Sequence, residues 1–451
     1  MKTVRIGSGA GYSGDRIEPA VELARDGNLD YLVFECLAER TIAIAQQSRL
    51  RDPDRGYDPL LVERMEAVLP EALSRKVKII TNMGAANPLA AAACVATIAG
   101  PIAHRLGRSL RIAAITGDDV LKRVQIGDYR LLESNRTVAS LGARVISANA
   151  YLGASPLVDA LTQGADIVIA GRVADSAMFL APLSYEFRWR DDDWTRLGCG
   201  TIVGHLLECA GQITGGYYDN SGPQDVTALA RLGFPLAEVD ENGNCMITKV
   251  AGSGGGITVA TCTEQLLYEI HDPQHYPVPD VTADLSGVQM KQQGADQVAV
   301  WGGAGRPAPE QLKVTVGILD GFLAEAEISY AGPGAVERGR LACEIVAERL
   351  RMTAGGFEDI RFDLIGIDAL HGSRLSQRAE PPYEVRVRVA ARSRASCDAE
   401  RVGREVEALY TNGPAGGAGV RRSVREVLSI ESCLVPRRHV RPEVRMQEIG
   451  Q

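Results

Sequence analysis

His205 and Glu208 stand three residues apart inside an otherwise apolar stretch, GTIVGHLLECAGQITGG. At about 100° per residue of helix, His205, Glu208, Cys209 and Gln212 fall on one stripe, and Gly204 and Gly211 at its edge permit close backbone approach. An imidazole beside a carboxylate is an acid/base pair, half of a metal site, or a buried hydrogen-bonded support. No second His/Asp/Glu cluster at ligand spacing accompanies it, so no metal is assigned. The segment GADIVIAGRVADSA supplies Arg172, Asp175 and Ser176 just after a short apolar run. Arginine grips a carboxylate or phosphate with two parallel N–H groups; Asp175 is a second candidate base, or the cap of the next helix.

Two glycine loops add candidate anion sites. Gly9, Gly11 and Gly14 form a literal G-x-G-x-x-G, with Ser13 and Asp15 inside or beside it and Glu35 ending the next expected strand. Backbone N–H groups at a helix start favour an anion or polar ligand, and the same spacing serves a dinucleotide or a plain turn. Lys249 precedes Ala251-Gly252-Ser253-Gly254-Gly255-Gly256, where a lysine beside free N–H groups is either an anion site or a solvated hairpin. Asn82 ends a third expected strand, as a ligand contact or a loop hydrogen bond; Asn87, ahead of Pro88, has the residue types of a helix cap.

The elements that must position these groups alternate. Apolar runs at 3–6, 29–34, 77–80, 110–115, 144–147 and 166–170 are separated by helical spacing. Continuous apolar strands between helices predict a mostly parallel sheet covered on both faces, in an α/β domain spanning 1–216. Ligands of such sheets bind beyond the carboxyl ends of the strands, here the first glycine loop, Glu35, Asn82, Asp118 and the Arg172–Ser176 turn. Residues 217–355 read as a mixed α+β subdomain of the same core. Residues 356–451, after Gly355-Gly356, read as a ferredoxin-like α+β domain, in which Glu384–Val389 alternates like a half-solvated strand.

With 451 residues, 45% hydrophobic and 24% charged, the chain has the composition of a globular protein. A net charge of −8 argues against nucleic acid or an anionic membrane as partner. No run reaches the roughly 18 apolar residues of a membrane span, and the N-terminus lacks a signal-peptide pattern. Nine scattered cysteines without a CxxC pair point to reduced thiols and a cytoplasmic location.

Several ordered blocks resemble the acyclic terpene utilisation family of AtuA type: GAGYSGDR (Gly9–Arg16), LDYLVFECLAERT (Leu29–Thr41), TNMGAANP (Thr81–Pro88), AYLGA (Ala150–Ala154), GADIVIAGRVADSA (Gly164–Ala177), GHLLECAGQITGG (Gly204–Gly216), and TKVAGSGGG through EQLLYEIHDPQHYPVPDV (Thr248–Val281). The resemblance covers roughly the first 350 residues, and the tail resembles the ferredoxin-fold domain attached to that family. Asn149, where glycine is expected, and Ser253, where threonine is expected, depart from the pattern. The resemblance implies a role in breaking down acyclic terpenes and related branched acids through CoA thioesters, and assigns no catalytic residue.

Residues and resemblance together lead to an expected enzyme of lyase or hydratase type, acting on a small anionic substrate such as a carboxylic acid or its CoA thioester. His205, supported by Glu208, moves the proton, while Arg172, Lys249 and the glycine loops hold the anion. No cofactor beyond CoA carried by the substrate is expected, and the chain is expected to form a homo-oligomer. A nicotinamide-dependent oxidoreductase using Gly9, Gly11, Gly14 and Glu35, or a non-catalytic subunit pairing through an exposed edge at Glu384–Val389, are the alternatives.

Overall fold

The structure, a computed structural model, describes residues 2–218, 227–353, 356–376 and 380–450. Eight strands frame the larger unit: β1 (Val4–Ala10), β2 (Tyr31–Phe34), β3 (Lys78–Thr81), β4 (Leu110–Thr116), β5 (Val145–Ala150), β6 (Ile167–Ala170), β7 (Pro235–Val239) and β8 (Cys245–Lys249). The central order β1-β2-β3-β6-β4 is parallel throughout. These are the strands whose apolar runs carry no alternation, because both faces are covered. Ile79, Ile112, Ile167 and Ile169 are fully buried in the resulting core.

The sheet as a whole is mixed, which corrects the expectation of a mostly parallel one. It has ten strands; β7, β8 and the strands Gln297–Trp301 and Gln289–Gly294 extend it antiparallel beyond β1, and Glu443–Ile449 pairs antiparallel with β4. Strands from the residues read as a mixed subdomain of the same core thus continue this sheet. The run at 144–147, counted among its strands, belongs elsewhere, since β5 pairs with the strand beginning at Gln311. Buried and apolar, β5 has the composition of a central strand, and composition does not name a partner.

Helices α1 (Glu18–Asp26), α2 (Glu39–Arg51), α3 (Leu61–Ser74) and α4 (Pro88–Leu106) follow in order. Asn87 caps α4, accepting from the Ala90 N–H at 3.4 Å with proline at the first helical position, as its residue types indicate. By length and composition α4 is apolar enough to cross a membrane, and Ala91, Val95, Ala99 and Ile102 pack into the sheet's core. After α5 (Leu121–Ile126), α6 (Ser155–Thr162) and α7 (Ala177–Phe187), helix α8 (Trp194–Leu207) carries His205 in its last turn.

The chain divides into two compact units, Met1–Gly317 with Ile430–Gln451, and Ile318–Ser429. The second unit thus begins well before the expected boundary at Gly355-Gly356; Gly355 lies outside the described residues and Gly356 falls within the unit. Its connectivity is β-α-β-β-α-β, with helices Ala335–Met352 and Ser396–Asn412, and the strands Phe357–Ile365, Glu384–Ser393, Gln311–Ala331 and Ala418–Pro436 lie in that spatial order. Alternation in Glu384–Ser393 is real: Val385, Val387 and Val389 are buried, while Arg388 faces away and pairs with Asp363 at 2.7 Å. The strand is interior, bonded on both sides, so the expected exposed edge at Glu384–Val389 is absent.

Candidate functional site

At the carboxyl end of β6 the chain turns through Gly171 and buries Arg172, whose side chain is 1% exposed. A buried guanidinium must have its donors engaged. Arg172 donates to Asp175 Oδ1 at 2.7 Å and to the Leu37 carbonyl, and lies 4.0 Å from the centre of the Tyr151 ring. Its backbone N–H donates to Asp118 Oδ2 at 3.0 Å, an oxygen that also accepts from Asn149 Nδ2 at 2.8 Å. Asn149 thus helps hold the turn.

Helix α8 meets this turn at Gly204. A Cβ there would stand 2.6 Å from the Ser176 carbonyl oxygen, so glycine lets the helix lie against the Asp175-Ser176 backbone and sets His205 beside it. His205 Nδ1 faces Glu208 Oε1 at 3.0 Å and Nε2 faces the Leu266 carbonyl at 3.2 Å. Both partners are acceptors, so both ring nitrogens must carry protons: the geometry is that of an imidazolium. Burial pulls its pKa down, but Glu208 and the Leu266 carbonyl outweigh burial and raise it. His205 has no free nitrogen with which to take a proton.

Asp175, Ser176, His205 and Glu208 border a cavity of about 710 Å³, together with Glu39, Tyr151, Glu269, Tyr276 and Lys313. Leu132, Val278, Pro279, Leu312 and Leu434 supply apolar wall. Glu269 holds its backbone at φ 59°, a conformation uncommon for a residue with a side chain. Glu39 accepts from the Tyr151 hydroxyl at 2.5 Å and from Lys313 at 3.0 Å. Burial raises its pKa, but Tyr151, Lys313 and Arg172 together hold it down at about 2.

One guanidinium, Arg172, must therefore answer for two further carboxyls. Burial raises Glu35 to about 7 despite Arg172, the Leu37 N–H and Asn82. Burial likewise raises Asp175, with Glu35, Glu208 and Glu39 adding repulsion against the pull of Arg172. Asp175 keeps 35% of its side-chain surface and borders the cavity. Tyr151→Phe should cost about 1 kcal/mol at neutral pH by removing a charge-assisted hydrogen bond. A depressed carboxylate stabilises above its unfolded pKa and loses that contribution as pH falls through the folded value, so the cost should shrink between 4.5 and about 2. Urea melts of both proteins at neutral and acid pH check this.

The glycine loops do not join the cavity. Gly9 is a strand residue of β1, and a Cβ on it would stand 2.4 Å from the Phe34 ring. The Gly11 N–H donates to Asp15 Oδ2 and the Arg16 N–H to Asp15 Oδ1, both at 2.9 Å, so Asp15 occupies the place an anion would take. Buried Arg64, unremarked in the sequence, clamps the loop through the Ser13 and Asp15 carbonyls at 3.2 and 3.0 Å. Gly14 packs against the Tyr12 ring. Gly11→Ala would put a Cβ 2.5 Å from the Cys209 backbone carbon; a loss of about 1–3 kcal/mol in thermal or urea melts is expected.

At the second loop, Lys249 donates to the Ser253 carbonyl at 2.7 Å and pairs with Asp296 at 3.1 Å. The N–H groups of Gly254 and Gly255 go to the Arg231 and Thr227 carbonyls at 2.7 and 2.8 Å. Glu35 and Asn82 hydrogen-bond each other at 3.0 Å, and Asn82 also accepts from the Cys36 N–H at 2.8 Å. They form the buried support behind Arg172. Helix α8 ends at Leu207, and the break turns Cys209 and Gln212 away from His205 into a separate depression beside Gly11 and Tyr12. The expected convergence thus holds for Arg172, Asp175, Ser176, His205 and Glu208, and fails for Lys249 and the loops. Among the described residues no three His, Cys, Asp or Glu side chains are placed to share a metal ion.

A family model described as acyclic terpene utilisation family protein AtuA matches residues 4–446. The chain belongs to the AtuA family of acyclic terpene utilisation proteins. The match runs through the second unit as well, beyond the first 350 residues that carry the visible blocks, so the family includes that unit. No curated protein and no solved structure matches the chain. Within the AtuA blocks lie the cavity residues that residue types alone did not single out: Glu39 in LDYLVFECLAERT, Tyr151 in AYLGA, and Tyr276 in EQLLYEIHDPQHYPVPDV. Lys313 lies outside those blocks and had no signal.

Proposed function

We propose that this AtuA-family protein is a catabolic enzyme that uses acid–base chemistry of lyase or hydratase type on a small carboxylic acid or its CoA thioester. The observation that carries the reading is a pair of carboxyl groups on one cavity with opposite surroundings, Asp175 pushed towards its neutral form and Glu208 set against an imidazolium. Two carboxyls whose environments differ in this way divide the acid and base roles between them. In a dehydration, Glu208 takes the proton next to the carbonyl as the C–H bond breaks. The double bond forms, the C–O bond breaks, and Asp175 gives its proton to the departing hydroxide, which leaves as water. Hydration is the reverse. His205 orients Glu208, a positioning role in place of the proton transfer expected from its residue type.

Burial raises Asp175 against the pull of Arg172, and the apolar wall takes the carbon chain. Reduced thiols and acidic composition support a cytoplasmic setting, and no cofactor beyond substrate-borne CoA enters the scheme. The second unit reads as a ferredoxin-like module, supported by its strand and helix order. The test is incubation of the purified chain with a panel of short branched acids and their thioesters, followed by mass spectrometry for gain or loss of water. Such a product should be missing with Asp175→Asn.

A further inference from the structure

Among the described residues, three hydroxyl-bearing side chains border the cavity: Tyr151, Ser176 and Tyr276. Tyr151 gives its O–H to Glu39 at 2.5 Å. Ser176 is 3% exposed, at the start of α7. Tyr276 is half-buried, and its hydroxyl has no hydrogen-bond partner among the described residues. The Tyr276 ring lies 5.7 Å from the His205 ring, and its backbone is fixed by pairing with Ala283. Burial raises the phenol pKa, and Glu208 and then Asp175 push it further, so Tyr276 keeps its proton at every ordinary pH. A tyrosine tip in such surroundings usually has an acceptor; here the acceptor is not supplied by the protein.

The acid–base scheme calls for one. As Glu208 takes the proton beside the carbonyl, the C–H electron pair moves into a C=C bond and negative charge gathers on the carbonyl oxygen. Lys313, held by Glu39 at 3.0 Å, and exposed Arg438 keep donors for an anionic group of the substrate. Glu208, however, is bonded to His205, and the side chain set against that ring with a donor to spare is Tyr276. We propose that Tyr276 donates a hydrogen bond to the substrate's carbonyl oxygen and stabilises the charge that develops there as Glu208 removes the neighbouring proton. The inference rests on the acid–base reading of the same cavity and adds a third catalytic residue to it.

Tyr276→Phe keeps the ring beside His205 and removes only the hydroxyl, so the melting temperature should stay nearly unchanged. The full-length protein is incubated with hexanoyl-CoA in heavy water, and deuterium uptake next to the carbonyl is followed by mass spectrometry. Glu208 exchanges the abstracted proton with solvent and returns a deuteron, so this readout needs no loss of water. Uptake should fall about 10²-fold or more in Tyr276→Phe. In a second measurement, the carbonyl signal of carbon-13-labelled hexanamide should move downfield on binding to wild type and lose that shift in Tyr276→Phe. A tyrosine that only packs would move neither readout. Uptake at the wild-type rate in Tyr276→Phe, with Glu208→Gln inactive, defeats this inference alone, as does a carbonyl shift that Tyr276→Phe retains. Uptake that survives in Glu208→Gln, or is absent from wild type, defeats the acid–base reading and the inference with it.

Discussion

Asp175→Asn should lower turnover by about 10²-fold or more while leaving the melting temperature nearly unchanged, because the substitution removes a proton and little else. Asparagine has the same shape and can still accept from Arg172 Nη2, which lies 2.7 Å from Asp175 Oδ1 in the wild type. The side chain is 35% exposed towards the cavity, so the change buries no new polar group. Burial, with Glu35, Glu208 and Glu39 behind it, keeps the acid form of Asp175 to higher pH than an ordinary aspartate. Activity that depends on that acid should fall on the alkaline side as pH rises through the raised value, and this limb should be missing from any residual activity of the variant. Turnover close to wild type would remove Asp175 from the chemistry.

His205→Ala should act differently, with its main effect on the fold. The ring is 2% exposed and bonded at both nitrogens, so its removal strands Glu208 and the Leu266 carbonyl in a site built around them. Breaking a buried charged pair from one side costs about 3–5 kcal/mol; Glu208 retains 13% exposure, which places the expected loss near the lower end, about 3 kcal/mol. The sign of the pH dependence follows from a raised histidine pKa. The stabilisation is complete below the unfolded value of 6.5 and is lost as pH rises through the higher folded value. Denaturant melts should therefore separate wild type from His205→Ala most at mildly acid pH and least at alkaline pH. Nitrogen NMR of the His205 ring should show both nitrogens protonated at neutral pH. A neutral tautomer, with stability intact in the variant, would return His205 to the role of general base.

Both results turn on features that a sequence shows incompletely. Residue type and an i, i+3 spacing were enough to pair His205 with Glu208, because a helix places such residues on one face. They were not enough to show what the far side of the imidazole would meet. That partner, the Leu266 carbonyl, comes from a segment 61 residues away. The same limit explains the glycine loops. Their sequence says that backbone N–H groups come close together, and it is silent on whether a ligand or the protein's own groups accept from them. Here Asp15, Arg231 and Thr227 do. Lys249 was legible as a cation just before a run of glycines, but its counter-ion Asp296 arrives from a distant hairpin.

The parallel centre of the sheet, the cap at Asn87, the alternation of Glu384–Val389 and the turn that carries Arg172, Asp175 and Ser176 were all set by local pattern: apolar periodicity, capping chemistry and strand alternation act over a few residues and can be read there. The mixed character of the sheet, the partner of β5 and the extent of the second unit depend on which edges meet, a choice made by packing between remote segments. Arg172 itself shows the division. The sequence determined that a lone arginine would stand at a strand end beside Asp175 and Ser176. Only the tertiary structure decided that Glu35, Glu39 and Asp175 would share its charge, because long-range packing brings those carboxyls to one guanidinium and burial raises Glu35 and Asp175 against its pull.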